Sequence, residues 1–496
     1  MSSQFFFCQQ LFTRKTLFVL PVIYATLCLF TSLAWAETSS ALSDEQQGKY
    51  LTELSSCYTC HTSDNTQPFA GGRKFVSQLG TIYSTNITSD KETGIGSWSD
   101  EEFYRALHEG IGKDGRQLYP IMPYDVYTGM HYEDAMRIKA WLMTQPPILN
   151  EDISNELQFP YNYRQTVLGW KLLNFYKGGK HPLTSQESQN QQRGIYIGES
   201  LALCGSCHTP RTITMGTDPA RALTGAFILD NWFAPNITPD KIRGIGKWTD
   251  QELKQYLRTG EVPGKAYAMG PMKEIVNDSL VHLNEQDMDS LLVWLRNIQF
   301  DGRLTSNNTL SRTEWGRKQD FSDMLPAHFE ENEENNPFLL QTPEQLYYGM
   351  CANCHGMDGG GKTAENIPNL VRNTTLGMTT PNNTIKIILE GSQSSVHSPS
   401  TEMPAFKNRL SDRQIAELTN WLFLHYGRNT TQTNVEQIYN LRMNIPIGDA
   451  PIIALLKAAS IALVAFGLIF ILGWIIRFSP RVKALITSLK RKYKAE

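Results

Sequence analysis

One five-residue pattern, Cys-x-x-Cys-His, constrains this chain more than any other feature, because it occurs three times. The copies are Cys57-Tyr-Thr-Cys60-His61, Cys204-Gly-Ser-Cys207-His208 and Cys351-Ala-Asn-Cys354-His355. The chain holds eight cysteines; Cys8 and Cys28 lie in an apolar N-terminal run, and the three motifs use the other six. The pattern is the attachment signature of c-type haem. Two thiols one helical turn apart can form thioethers with the two vinyl groups of a porphyrin. The adjacent histidine then sits under the iron as the proximal ligand. Zinc binding, a thioredoxin-like redox pair and a disulfide are the rival readings. Zinc does not require a histidine directly after the second cysteine three times out of three. A disulfide framework would not confine every remaining cysteine to two-residue loops. The motifs therefore predict three covalently bound haem c groups, held through Cys57, Cys60, Cys204, Cys207, Cys351 and Cys354, with His61, His208 and His355 on the iron.

A second axial ligand is expected downstream, and in small c-type cytochromes methionine is the usual one. Met122 in LYPIMPYD stands 61 residues after His61, Met272 in MGPMKEIV 64 after His208, and Met403 in TEMPAFKN 48 after His355. Each neighbours a proline, and each is followed by a helical pattern ending in Trp-Leu: AMRIKAWL, DSLLVWL and IAELTNWL. Met130, Met269 and His397 are the rivals at the first, second and third sites, and core filling is the ordinary role of a single methionine.

A longer repeat accompanies the motifs. Residues 86–100 read NITSDKETGIGSWSD and residues 236–250 read NITPDKIRGIGKWTD, 150 positions apart. Solenoid periods are about 20 to 50 residues, so this spacing points to a duplicated domain. The stretch is expected to be an irregular loop ending in a capping box, Ser99-x-x-Glu102 or Thr249-x-x-Glu252. The helices that follow should close on Gly110 and Gly260. Ser411-x-x-Gln414 has the same form in the third copy. One role for the loop is to wrap a haem edge; a sharper one has Trp98 and Trp248 donating to a propionate beside Asn86 and Asn236.

With 496 residues there is room for roughly three domains. The expected organisation is a signal peptide at 1–36, cytochrome c domains at 40–148, 187–300 and 341–428, linkers at 149–186 and 301–340, a transmembrane helix at 452–476 and a basic tail at 477–496. Arg14 and Lys15 precede an apolar run that ends at the small-x-small site Ala34-Trp35-Ala36, the form of a secretory signal. Residues 458–476 carry no charge, and as a helix would span about 28 Å, near a bilayer's hydrocarbon thickness. Arg477, Arg481 and Lys483 follow, as expected for a cytoplasmic flank. The body would then sit on the periplasmic side of a bacterial inner membrane. A net charge of −3 argues against a nucleic-acid partner. The predicted fold class is mostly α, as three tandem class I cytochrome c domains, with the porphyrin supplying apolar core to each.

The chain resembles the tri-haem cytochrome c subunits of membrane-bound periplasmic dehydrogenases, a family that serves alcohol, gluconate and sorbitol oxidation. The resemblance rests on IYSTNITSDKETGIGSWSDEEFYRAL, LYPIMPYDVYT, YNYRQTVLGWKLLNF, CHTPR, APNITPDKIRGIGKWTD, GPMKEIV and CANCHGMDGGGK. It implies that a separate catalytic subunit, a quinoprotein or flavoprotein, oxidises the substrate. This chain would carry the electrons from haem to haem to membrane ubiquinone or a terminal oxidase, with Met122, Met272 and Met403 as axial ligands. Two other classes compete: a self-contained haem enzyme, which needs an open iron position, and a tethered carrier feeding an oxidase without a dedicated dehydrogenase.

Overall fold

The computed structural model describes residues 43–178, 187–301, 342–362, 365, 367–371, 373–392, 402–446, 450–478, 484 and 487. The expected signal peptide at 1–36, His397, the connector around residues 302–341 and most of the basic tail lie outside the described residues. The chain divides into two units, 1–46 and 47–496. The described part of the first is only the opening of a helix.

Three segments follow one another, each built around one Cys-x-x-Cys-His motif. In segment one, α1 (Asp44–Leu54) leads into the motif helix α2 (Cys57–His61), and a hairpin follows, β1 (Lys74–Ser77) and β2 (Gly80–Tyr83). Then come α3 (Asp100–Glu109), the turn α4 (Tyr124–Tyr127) and α5 (Tyr132–Thr144). The linker is ordered: β3 (Glu156–Leu157) pairs with β2 in the register Gly80↔Leu157, and α6 (Thr166–Asn174) follows.

Segment two repeats the plan with α7 (Gln189–Tyr196), the motif helix α8 (Cys204–His208), the pair β4 (Ala226–Phe227) and β5 (Phe233–Ala234), and α9 (Asp250–Thr259). The pair β6 (Glu261–Val262) and β7 (Ala266–Tyr267) then leads to α10 (Pro271–Asp278) and α11 (Glu285–Asn297). Segment three has α12 (Pro343–Met350), α13 (Ala352–His355), α14 (Asn382–Glu390), α15 (Asp412–His425) and α16 (Val435–Arg442), and the described chain continues into α17 (Ala450–Phe478). The fold is mostly helical, with three small antiparallel sheets among the described residues.

The local signals act as their chemistry requires. At Ser99, Thr249 and Ser411 the hydroxyl accepts from the N–H three residues on, and the Glu102, Glu252 or Gln414 side chain accepts from the cap's own N–H. Gly110 and Gly260 close α3 and α9 in the left-handed conformation, at φ 64° and 74°. A fourth box, Thr342 with Gln345, opens α12.

Burial organises the segments differently. One buried cluster runs through segments one and two, from Leu51, Leu54 and Leu142 to Tyr196, Leu201, Met288 and Leu295. Segment three has its own, including Leu346, Tyr347, Ile415, Phe423 and Leu441. Asp287 on α11 helps clamp the first two together. It accepts from both ends of the Arg193 guanidinium, at 2.7 and 2.6 Å, and from Tyr50 of α1 at 2.6 Å. In α17 the stretch Ala458–Ile475 is long and apolar enough to cross a membrane.

Candidate functional site: three cysteine–histidine motifs

Each motif forms a short helix, so its two cysteines, three positions apart, share a face. Ser56 and Leu203, directly before Cys57 and Cys204, are left-handed at φ 55° and 57°. These two residues break α1 and α7's continuation and re-aim the chain, so the motif helix starts at an angle. In segment three the break falls at Cys351 itself, between α12 and α13.

None of the six cysteines is joined to another in a disulfide. Burial pushes Cys57, Cys204 and Cys351 up to about 12 and Cys60 up to about 11, and raises Cys207. Such thiols are protonated at neutral pH, unlike the activated thiolate of a redox-exchange pair. Among the described residues no three His, Cys, Asp or Glu side chains gather as a metal cage, so the zinc reading finds no further ligands. Cys207 and Arg73 both contribute to the electrostatic setting of Cys60, so motifs one and two are near neighbours.

The histidines share one geometry. His61 Nδ1 meets the Thr85 carbonyl at 2.7 Å, His208 Nδ1 the Pro235 carbonyl at 2.6 Å, and His355 Nδ1 the Pro368 carbonyl at 2.9 Å. A carbonyl only accepts, so Nδ1 carries the proton and the Nε2 lone pair is left for an external acceptor. Desolvation by burial lowers all three pKa values and keeps the rings neutral. The Nδ1–H bond to the carbonyl works against that burial and fixes the ring's orientation, as it does for metal-ligating imidazoles.

The accepting carbonyls answer what the repeated stretch does. Thr85 and Pro235 immediately precede it, and Pro368 likewise precedes an asparagine, Asn369. Asn86 Oδ1 accepts from the Thr88 N–H and hydroxyl at 2.9 and 2.8 Å; Asn236 Oδ1 accepts from Thr238 in the same way at 2.8 and 2.7 Å. The loop is thus pinned right beside the atom that fixes each histidine. At its far end Lys139 of α5 donates to the Trp98 carbonyl and Asp100, and Arg296 of α11 to the Trp248 carbonyl and Asp250. The Asn86 amide donates to Thr93 within the loop and to the Ile148 carbonyl beyond α5, whereas the buried Asn236 amide nitrogen has no hydrogen-bond partner. Sequence reasoning did not single out the carbonyls, although the residue before each Asn was their signal.

Met403 is joined to Ser392 by two backbone hydrogen bonds of 2.9 Å. It lines a mostly apolar cavity of about 120 Å³ together with Cys351 and His355, while Cys354, the fourth expected third-site residue, does not line it. Met122, in a turn before α4, and Met272, the second residue of α10, are half-buried against the cluster that also holds Cys57 and Cys204. Of the rivals, Met130 is a buried core residue, and Met269 lines the third cavity from segment two.

Paired cysteines outside any disulfide, neutral imidazoles with Nε2 available and a mostly apolar cavity lined by Met403 fit covalently attached iron porphyrin. Comparison with known proteins agrees. Residues 339–422 match the family described as cytochrome C oxidase, cbb3-type, subunit III. The fructose dehydrogenase cytochrome subunit of Gluconobacter japonicus is 35% identical over 405 residues, 80% of this chain and 82% of that protein. The chain belongs to the family of dehydrogenase cytochrome c subunits. Two further members are the gluconate 2-dehydrogenase cytochrome c subunit of Pantoea cypripedii, 32% identical over 84% of this chain and 92% of that one, and the cytochrome c subunit of the quinone-dependent alcohol dehydrogenase of Komagataeibacter europaeus, 30% identical over 82% and 86%.

Proposed function

We propose that this cytochrome c subunit carries three haem c groups and passes electrons from a catalytic dehydrogenase subunit, a quinoprotein or flavoprotein, to membrane ubiquinone or a terminal oxidase. The observation that carries the reading is the threefold recurrence of one arrangement: two cysteines one helical turn apart and outside any disulfide, then an imidazole whose Nδ1 is committed to a main-chain carbonyl. The relatives are named as cytochrome subunits of fructose, gluconate and alcohol dehydrogenases, which supports a dehydrogenase partner without choosing its substrate.

Bound haem would supply a one-electron iron couple. The chain's own residues do the rest. Cys57 and Cys60, Cys204 and Cys207, and Cys351 and Cys354 tether it. His61, His208 and His355 present Nε2, while Thr85, Pro235 and Pro368 hold the rings still. Met122, Met272 and Met403 would supply a thioether sulfur to the bound iron, a ligand that raises the potential and suits electron transfer rather than substrate chemistry. The apolar clusters exclude water, and each segment, 40–148, 187–300 and 341–428, encloses one group. Export by the N-terminal signal and anchoring by α17 would hold the body on the periplasmic side of the bacterial inner membrane.

A second reading, a tethered carrier feeding an oxidase without a dedicated dehydrogenase, draws on the match of residues 339–422 to an oxidase subunit family. Purification in mild detergent separates the two. The first reading expects a dehydrogenase subunit in stable ratio with this chain, and substrate-driven reduction of its haems. Recovery with an oxidase alone, unreduced by any sugar, sugar acid or alcohol, would overturn it.

A further inference from the structure

The cavity holding Cys351, His355 and Met403 is closed on one side by segment two, through Glu261, Met269 and Lys273. This wall is bonded in place at both supports of the third site. Lys273 Nζ donates to Ser392 Oγ at 3.2 Å, and Ser392 is the residue whose backbone holds Met403. The Gly264 N–H donates to Asn369 Oδ1 at 3.2 Å, and Asn369 follows Pro368, whose carbonyl holds His355. A backbone bond from Thr374 N to the Lys265 carbonyl, 3.0 Å, ties the same seam.

Two of the segment-two side chains in this wall carry charge of opposite sign, and both are half-buried. A charge in an apolar wall acts on the iron at low effective dielectric, where a unit charge matters far more than at the surface. Reduction lowers the charge on iron by one. A lysine ammonium nearby therefore favours the ferrous state, and a carboxylate favours the ferric one.

We propose that Lys273 and Glu261, residues of segment two, set the reduction potential of the haem held in segment three: Lys273 raises it and Glu261 lowers it. This rests on the reading that Cys351, Cys354, His355 and Met403 hold a haem. Neither residue is a ligand; both act through the wall. The potential of the third group is then a property of the docked pair of segments, since the fixed charges leave if segment two moves away.

The test is spectroelectrochemical titration of the full-length, haem-loaded protein and four variants. Met403→His identifies the wave belonging to the third site. Lys273→Gln should lower that wave so that the ferrous-to-ferric ratio at fixed potential falls about tenfold, ~59 mV for a one-electron couple. Glu261→Gln should raise the same wave, Lys273→Arg should restore it, and the first-site wave should stay in place. The inference is overturned if neither substitution moves the third-site wave, if both move it in one direction as general loosening would, or if the only wave they move is not the one Met403→His marks. If Met403→His moves no wave at all, the assignment of the third site falls, and the inference with it.

Discussion

Asp287 shows how much one side chain can decide here. Burial raises its pKa, but hydrogen bonds from Arg193 and Tyr50 outweigh that, and the net effect is a carboxyl held below its ordinary value. A carboxylate with a depressed folded pKa stabilises the protein fully above the unfolded value. That stabilisation is lost as pH falls through the folded one. The clamp between α1, α7 and α11 should therefore fail in acid, below about pH 4. Asp287→Asn should flatten the acid limb of the unfolding profile and cost about 2 kcal/mol at neutral pH, less than a fully buried pair because Arg193 is partly exposed. Thermal melts from pH 3 to 8 measure both effects; an unchanged acid limb would contradict the assignment. A second residue test lies in the repeated loop. Asn236→Ala removes the acceptor of two Thr238 bonds beside the Pro235 carbonyl and should lower stability by about 1–2 kcal/mol. If Met272 binds the second iron as proposed, the substitution should also perturb that site's near-infrared band.

Among the elements, the entering helix of each of the first two segments crosses the closing helix through a glycine. A Cβ on Gly48 would lie 2.3 Å from the Arg137 carbonyl oxygen, and one on Gly194 would lie 2.0 Å from that of Ser290. Backbone, not a flexible side chain, blocks the space. Gly194→Ala should therefore push α7 off α11 and cost about 1–3 kcal/mol, read from denaturant midpoints. Capping boxes and closing glycines were legible in the sequence because their chemistry is local: Ser99 needs only Glu102, and α3 stops where Gly110 turns left-handed. The glycine crossings were not legible, because the partner of Gly194 lies near residue 290. The elements of the linker were not legible for the same reason. A strand of two residues, Glu156–Leu157, has no periodicity of its own and exists only because β2 offers it an edge. Its helix α6 buries Val167, ties Lys171 to the Glu109 and Gly110 carbonyls, and leaves Leu168 and Leu172 exposed.

At the scale of the molecule, the three motifs were visible in the sequence, and their relative placement was not. Segments one and two share one buried cluster, which no pattern within either announces. Helix α10 gathers the rest. It carries Met272, meets motif one through Asp278 with Thr59 and the rest of segment one through Glu274 with Arg73, and reaches segment three through Lys273. Met269, expected as a possible second-site ligand from spacing alone, lies on the third cavity because of this arrangement. The candidate span Ala458–Ile475 makes a separate prediction. A chain ending at residue 446 should be exported, coloured and soluble without detergent, while the full chain stays with the membrane after a salt wash. Release of both by salt would remove α17 as the anchor.

The central claim, that three haem groups are covalently carried by six cysteines, is tested most directly by intact-mass spectrometry of the purified mature chain under denaturing conditions. The account predicts a single species heavier than the polypeptide by three haem masses, with no thiol left to alkylate. A species carrying fewer groups, with reactive cysteine in any motif, would contradict it.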